Sequence, residues 1–193
     1  WPTIGKEVAH IEDATMEDVK AFFYQHYLPN NAILSIAGDI EIESIKLLSE
    51  KWFGNIPSGK VQERNLPKEP KQTEERRLKV DRDVPANSLY KAYKMCSKDH
   101  DDFYATDLLS DVLSLGKSSR LHTSLVKEQH LFSEINAYVL GSTDDGLLVI
   151  SGNLSDGVSF DEAEKAILTE LDNIKNETIS ESELFKVKKK IES

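Results

Sequence analysis

The sequence predicts an α+β fold in which an antiparallel sheet has helices packed on one face. The first observation is the order of elements after residue 75, where pairs of strand-like segments alternate with pairs of helix-like segments. The second is periodicity, because the strand-like segments are short and apolar while the helices carry apolar stripes. A doubly wound nucleotide-binding fold would alternate single strands with single helices, so this order argues against it.

The strands are predicted from short apolar runs bounded by turn residues. Four fall in the second part of the chain: Arg76–Val84, Ser88–Met95, Phe132–Leu140 and Leu147–Asn153. The last two are separated by the polar loop Gly141–Gly146, which predicts a hairpin.

Four helices accompany these strands. Two follow the first strand pair, at Asp101–Leu115 and Ser118–Gln129. Two more begin at the capping boxes Ser159-x-x-Glu162 and Ser180-x-x-Glu183, in which a hydroxyl and an acid three residues later satisfy free backbone N–H groups.

The first part of the chain predicts a helix, a strand and a second helix. The first helix begins at the capping box Thr15-x-x-Asp18 and ends before Pro29. The apolar run Ala32–Ala37 predicts a buried strand. A helix over about Ile42–Phe53 then closes at Gly54.

Residues 55–75 predict a solvated linker, because they contain three prolines among charged and amide side chains. We therefore expect three regions: residues 1–54, the linker 55–75, and an α+β unit over 76–193. The chain opens with Trp1 and stops inside a helical pattern at Ser193, so we expect it to be an excised fragment.

Composition excludes several classes of partner. The chain has 193 residues, of which 39% are hydrophobic, and a formal net charge of -10. Such an acidic chain repels phosphate backbones and anionic lipid, and no apolar run approaches the ~20 residues of a membrane span. We expect no nucleic acid and no membrane span. Cys96 is the single cysteine, which is compatible with bacterial periplasm or cytoplasm alike.

No catalytic, cofactor-binding or metal residue is predicted. The five histidines include no pair one helical turn apart, which a helix needs to aim two ligands at one zinc ion. Cys96 has no evident histidine partner. Ser118 and Ser119 follow Gly116 and could form an anion nest, but helix capping is the simpler interpretation.

Several segments, taken in order, nevertheless resemble one family. The resemblance is to the C-terminal, inactive region of pitrilysin/insulinase-type zinc metallopeptidases and to mitochondrial processing peptidase-like proteins. It covers nearly the whole chain. The segments that carry it are Trp1–Gly5, Thr15–Asn31, Ile36–Ile40, Trp52–Gly59, Ser118–Leu121, Leu125–Gln129 and Ser182–Lys188.

The resemblance implies a fold and a division of labour. In this family, related α+β units pair like a clamshell around a chamber that encloses unfolded peptides. The zinc motif His-x-x-Glu-His lies in the first unit, so zinc is expected in an N-terminal catalytic unit of the parent and not in this fragment. The implied partners are that catalytic unit, a second homologous subunit and unfolded peptide substrates.

One departure from the family pattern concerns substrate contacts. The non-zinc half often carries an arginine and, seven residues on, a tyrosine that hold the substrate. Val126 and Ser133 occupy those positions here, so these roles are not assigned to them. The departure resembles the second unit of a zinc-bearing subunit.

Two alternatives to the peptidase role stay open from the sequence. The parent could be a structural subunit of the same fold, like the core proteins of respiratory complexes, or the chain could be an unrelated acidic interaction module. The resemblance also implies that residues 1–54 are the tail of a preceding unit, and that 76–193 lack a final helix–strand–helix. Residues 13–54 could then dock on 76–193, with Ala32–Ala37 inserted in the sheet.

Overall fold

The computed structural model describes residues 6–60 and 67–192. The chain divides into two compact units, Trp1–Arg77 and Leu78–Ser193, called unit 1 and unit 2 below. The segment Trp1–Gly5, part of the family resemblance, lies outside the described residues, as does part of the expected linker. Within the described ranges, no helix combines the length and the apolar character that crossing a membrane would require.

Unit 1 is helical in its described part. Its elements are α1 (Ala9–Glu12), α2 (Met16–His26), a 3₁₀ turn (Pro29–Asn31) and α3 (Ile42–Phe53).

The predicted start of α2 is confirmed. The Thr15 hydroxyl accepts a hydrogen bond from the Asp18 amide, and the Asp18 carboxylate accepts one from the Thr15 amide at 2.9 Å. The Thr15 hydroxyl also donates to the Asp18 carboxylate at 2.6 Å. This bond, together with the one from the Thr15 amide, stabilises the charged form, so the pKa of Asp18 lies below its usual value. The predicted closure of α3 at Gly54 is also confirmed.

The predicted strand at Ala32–Ala37 is wrong for this structure. These residues form no strand, and the Ile33 side chain is 97% exposed. The described part of unit 1 contains no strand at all, so the segment has no neighbour there with which to share a hydrogen-bond ladder.

The segment after α3 is fastened to the 3₁₀ turn by one side chain. The Asn30 amide donates to the Gly59 carbonyl at 2.8 Å and accepts from the Gly59 N–H at 3.2 Å. A Cβ atom at Gly59 would lie 2.6 Å from a Leu28 methyl carbon, so glycine allows this close approach.

The elements of unit 1 bury none of their residues. The aromatic rings of α2 contact one another on one face, as in the stacked pair Phe23 and Tyr27 at 4.9 Å between centroids. Both rings nevertheless remain at least half exposed. Across residues 6–60 and 67–77, unit 1 therefore has amphipathic helices without a core.

Unit 2 has the predicted α+β architecture. Its elements are β1 (Ser88–Met95), α4 (Phe103–Ser114), a π-helix (His122–Glu128), β2 (Phe132–Leu140), β3 (Gly146–Leu154), α5 (Phe160–Asn176) and α6 (Glu181–Glu192).

The three strands form an antiparallel sheet in the order β1–β3–β2, which confirms the predicted fold class. β3 is central and pairs along its whole length with β1, from Ser88 opposite Asn153 to Met95 opposite Gly146. A bulge at Ser133 interrupts the pairing of β2 with β3.

Two elements predicted after residue 75 differ from the structure. Arg76–Val84 is not a strand, and its Leu78 side chain is 88% exposed. Within the predicted helix Ser118–Gln129, the seven residues His122–Glu128 form a wider π-helix. Sequence periodicity does not distinguish a π-helix from an α-helix over so short a span.

The core of unit 2 lies between the sheet and its helices. Leu113 of α4, Leu125 of the π-helix, Ile150 of β3 and Ile167 of α5 are fully buried in one cluster. A partly buried ion pair between Lys91 and Glu164 also ties β1 to α5. The helices thus pack against one face of the sheet and bury it.

We expect Ile150→Ala to lower the free energy of unfolding of unit 2 by about 2–5 kcal/mol, because it leaves a cavity in the central strand. Urea denaturation followed by circular dichroism measures this loss. The matched control is Ile33→Ala, which should change stability by less than about 0.5 kcal/mol because Ile33 is almost fully exposed. Equal losses from the two substitutions would contradict this account of the core.

Candidate functional site

A cluster of polar side chains in unit 2 joins the helical turn before the π-helix to the start of α6. The Glu183 carboxylate accepts hydrogen bonds from Arg120 Nε at 2.8 Å and Nη2 at 3.0 Å, in a bidentate ion pair. Glu183 Oε2 also accepts from the amide and hydroxyl of Ser180, which confirms the predicted capping box. Lys186 adds a bond to the Ser118 hydroxyl at 3.0 Å. We call these residues the Arg120–Glu183 seam.

The seam shifts the ionisation of its carboxylate. The hydrogen bonds from the Arg120 guanidinium, with those from Ser180, hold the pKa of Glu183 at about 2, well below its usual value. Side-chain exposure is 19% for Arg120 and 28% for Glu183, so bulk water screens the pair only in part.

A shallow polar pocket of about 300 Å³ opens beside the seam. Its side chains are paired with one another, as in the Ser124 hydroxyl, which donates to Glu170 at 2.7 Å. The residues that line it are Ser118, Arg120, Thr123, Ser124, Glu128, Glu170 and Glu183. It contains no cysteine or histidine that could act as nucleophile or general base.

The serines before the π-helix do not form the cap expected from the sequence. The Ser119 hydroxyl donates to the Gly116 carbonyl at 2.7 Å, and Ser118 accepts from Lys186. Gly116 has a φ of 84°, the left-handed conformation that glycine adopts readily. These serines close a turn and join α6 to it.

A zinc ion does not fit the side chains of residues 6–60 and 67–192. No three His, Cys, Asp or Glu residues in these ranges lie close enough together to hold a metal ion. The histidines lie in separate places and make local contacts, as when His100 Nδ1 accepts from the Asp102 amide. His130 Nδ1 lies 3.1 Å from the Val126 carbonyl oxygen.

Val126 and Ser133, which occupy the two substrate-holding positions of the family pattern, have different surroundings. Val126 is half-buried and packs against the core of unit 2. Ser133 lies in the bulge of β2, where its hydroxyl donates to the Asn153 carbonyl at 3.2 Å. Neither side chain offers a cation or a phenol to a ligand.

The face of the sheet opposite the helices is a further candidate surface of unit 2. Strand register brings Ala92 of β1, Val149 of β3 and Tyr138 of β2 side by side on it. Tyr90 lies next to this row and is 69% exposed, and Leu140 is also exposed. The sequence predicted these strands, but only the register shows that these residues form one row. Val149 is 6% exposed, so Ala92 and Tyr138 supply the accessible surface of that row. We call this surface the helix-free face.

Comparison with known proteins identifies the family. Residues 13–191 match the family model described as the peptidase M16 inactive domain, so the chain belongs to that family. The zinc protease PqqE of Helicobacter pylori is 31% identical over 193 residues, covering 97% of this chain and 43% of that protein. The resemblance inferred from the sequence segments is therefore confirmed.

Solved structures agree with this assignment. A protease from Helicobacter pylori has a TM-score of 0.83 and 28% sequence identity, covering 96% of this chain and 46% of that one. A chain of complex III₂ from Candida albicans has a TM-score of 0.75 and 17% identity, over 98% of this chain and 46% of that one, which shows a shared fold alone. The chain spans less than half the length of the proteins it matches here.

The seam links two of the family segments, Ser118–Leu121 and Ser182–Lys188.

We expect Glu183→Gln to destabilise unit 2 by about 1–2 kcal/mol at pH 7, because Arg120 loses its charged partner. The folded-state pKa of Glu183 is depressed to about 2, so this stabilisation is present above about 4.5 and is lost as pH falls toward 2. The check is thermal unfolding of the unsubstituted chain and of Glu183→Gln between pH 2 and 7. The difference between their melting temperatures should become smaller as pH falls.

The control for that experiment is Glu192→Gln in the same helix. Glu192 pairs with Lys189 at 2.7 Å, but its side chain is 62% exposed. An exposed pair of this kind contributes little, so the control should behave like the parent sequence. A Glu183→Gln effect no larger than the control, or one that grows as pH falls, would count against the seam.

Proposed function

We propose that this chain is a non-catalytic C-terminal region of a zinc-dependent metalloendopeptidase. Its match to the inactive domain of the peptidase M16 family over residues 13–191 carries the proposal. The 31% identity with a protein described as a zinc protease supports it. In this proposal the zinc ion and the hydrolytic step belong to an N-terminal catalytic unit of a longer parent, and this chain supplies shape and subunit contact.

The chain forms part of the wall of a chamber that encloses unfolded peptides, and a second homologous subunit closes that chamber. The helix-free face is the part of unit 2 best suited to line it. Its exposed side chains include Ala92, Tyr138 and Tyr90, and they lie around Val149, which is itself buried. Aromatic side chains contact apolar and polar peptide groups at low conformational cost, which suits a surface that accepts varied sequences.

A second candidate function is structural: the parent would have the same fold but would not hydrolyse peptides. A structural neighbour belongs to complex III₂ of Candida albicans, so the same architecture occurs in a chain of that assembly. Zinc content and peptide hydrolysis of the longer parent distinguish this structural role from the peptidase role.

The hydrolysis of an unfolded, fluorescently quenched peptide tests the main proposal. With added zinc, this chain alone should show no hydrolysis, whereas the longer parent with its partner subunit should hydrolyse the peptide. A chelator should abolish the activity of the parent, and zinc should restore it. Hydrolysis by this chain alone would refute the proposal. A parent that neither binds zinc nor hydrolyses the peptide when zinc and its partner subunit are supplied would refute it too.

The proposed role of the helix-free face is tested by Tyr90→Ala in the active parent. We expect KM for the peptide to rise by about 3–10-fold with little change in kcat, because a ground-state contact is lost. The matched control is Tyr104→Ala on α4, since Tyr104 is 72% exposed, close to the 69% of Tyr90, but lies on a helix. Similar effects of the two substitutions would exclude a specific role for this face.

A further inference from the structure

We propose that the helix-free face selects extended peptides that carry a basic side chain at one end and apolar side chains toward the other. In this proposal, the Glu134 carboxylate on β2 recognises the basic side chain. The proposal rests on the proposed function, because it names the class of peptide that the chamber wall favours. It concerns selection alone and assigns no catalytic step to this chain.

One end of the helix-free face is polar. The strand register places Ser88 of β1, Asn153 of β3 and Glu134 of β2 in one row across the sheet. The Ser88 hydroxyl donates to Asn153 Oδ1 at 2.7 Å, and the Asn136 amide donates to Glu134 Oε1 at 2.9 Å. All four residues are exposed. They therefore present hydroxyl, amide and carboxylate groups to solvent, and we call them the polar end.

The opposite end of the face is apolar. Tyr138 lies opposite Val149, and Leu140 lies opposite Leu147. Tyr138 is 38% exposed and Leu140 is 53% exposed. Covering these side chains with an apolar residue of a peptide removes apolar surface from water, at about 25 cal/mol per Å². We call Tyr138, Leu140 and Leu147 the apolar end.

The charged residues of the face lie at opposite corners. Among the residues of β1, β2 and β3, the charged ones on this face are Glu134 and Lys94, because Lys91 lies on the helix side and pairs with Glu164 of α5. The rows of Glu134 and Lys94 are six positions apart, which is about 20 Å along the strands. That distance exceeds the Debye length of about 8 Å at physiological salt, so each corner acts on the peptide group beside it. A cation is attracted at the polar end and repelled at the other.

Charge complementarity favours a lysine or arginine side chain as the occupant of the polar end. A carboxylate has several acceptor sites, so Glu134 can accept from Asn136 and from a peptide cation together. Tyr90 lies in the row of Asn136 and is 69% exposed, which provides apolar surface for the methylene groups of that side chain. The formal net charge of -10 also attracts basic peptides at long range.

The distance between the two ends sets the spacing of residues in the peptide. Tyr138 and Leu140 follow Glu134 on β2 by four and six positions. An extended peptide that runs along the strands rises by about 3.3 Å per residue, as β2 does. Its basic residue therefore lies over Glu134 when an apolar residue about four to six positions away lies over the apolar end.

A titration of this chain followed by nitrogen-15 NMR tests the selection. Two octapeptides have leucine and phenylalanine at the last two positions and serine and glycine between, and they differ only in lysine or glutamine at the second position. We expect the lysine peptide to bind about 2–5-fold more tightly at low salt, because an exposed ion pair contributes modestly. The largest shifts should fall on the amides of β1, β2 and β3. Equal affinities, no binding of either peptide, or shifts confined to the helices would overturn the proposal.

The substitution Glu134→Gln tests the recognising residue, because it removes the charge and keeps the size of the side chain. It should bring the affinities for the two peptides to within about 1.5-fold of each other, and Glu134→Lys should reverse the preference. Glu134 is exposed, so both variants should keep the melting temperature of the unsubstituted chain.

The matched control is Glu192→Gln on α6, where the side chain is 62% exposed but lies away from the sheet face. This variant should keep the preference for the lysine peptide. A preference that survives Glu134→Gln, or that Glu192→Gln abolishes, would overturn the role of Glu134.

A spin label on the peptide tests its orientation. A nitroxide next to the lysine should broaden the amide signals of Glu134 and Asn136, whereas one at the apolar terminus should broaden those of Leu140 and Lys94. Equal broadening of both pairs by each label would contradict a single orientation.

The titration needs neither zinc nor hydrolysis, so its outcome is separate from that of the proposed function. A parent without peptidase activity would end the proposed function, while this chain could still prefer the lysine peptide. An active parent, together with equal affinities of this chain for the two peptides, would end this inference alone.

Discussion

A β-strand is stable only beside another strand, and this requirement organises the whole molecule. β3 has neighbours on both sides, and its residue Ile150 lies at the centre of a closed core. Ala32–Ala37 and Arg76–Val84 have strand-like sequences but no ladder partner in the described chain, and their side chains stay exposed. The same physical rule therefore gives unit 2 a core and leaves the described apolar side chains of unit 1 exposed.

The family segments of unit 2 have a structural role in this chain. Arg120 and Glu183 lie 63 positions apart, yet their bidentate ion pair joins the turn before the π-helix to the first turn of α6. Asn30 and Gly59 act similarly in unit 1, where one amide side chain fastens the segment that follows α3. These contacts hold the elements of each unit in position.

The described residues provide a surface for contact but no group of side chains that could hold a metal ion. A zinc ion does not fit the described side chains, and the positions of Val126 and Ser133 offer no substrate-holding group. What remains is a sheet backed by helices on one face and open on the other, where Tyr90 is exposed. In the proposed function, such a surface contacts peptides without acting on them, and reactivity belongs to the metal-binding unit of the parent.

The sequence by itself determined the α+β class, the capping boxes at Thr15 and Ser180, and every strand of the observed sheet, because these features depend on local periodicity and short-range hydrogen bonds. Family membership also followed from the order of its segments. Only the tertiary structure decided which strand-like segments pair, that Arg120 meets Glu183, and that the helix-free face forms a continuous row. Pairing depends on partners distant in sequence, and a local pattern of apolar residues carries no information about whether such a partner is present.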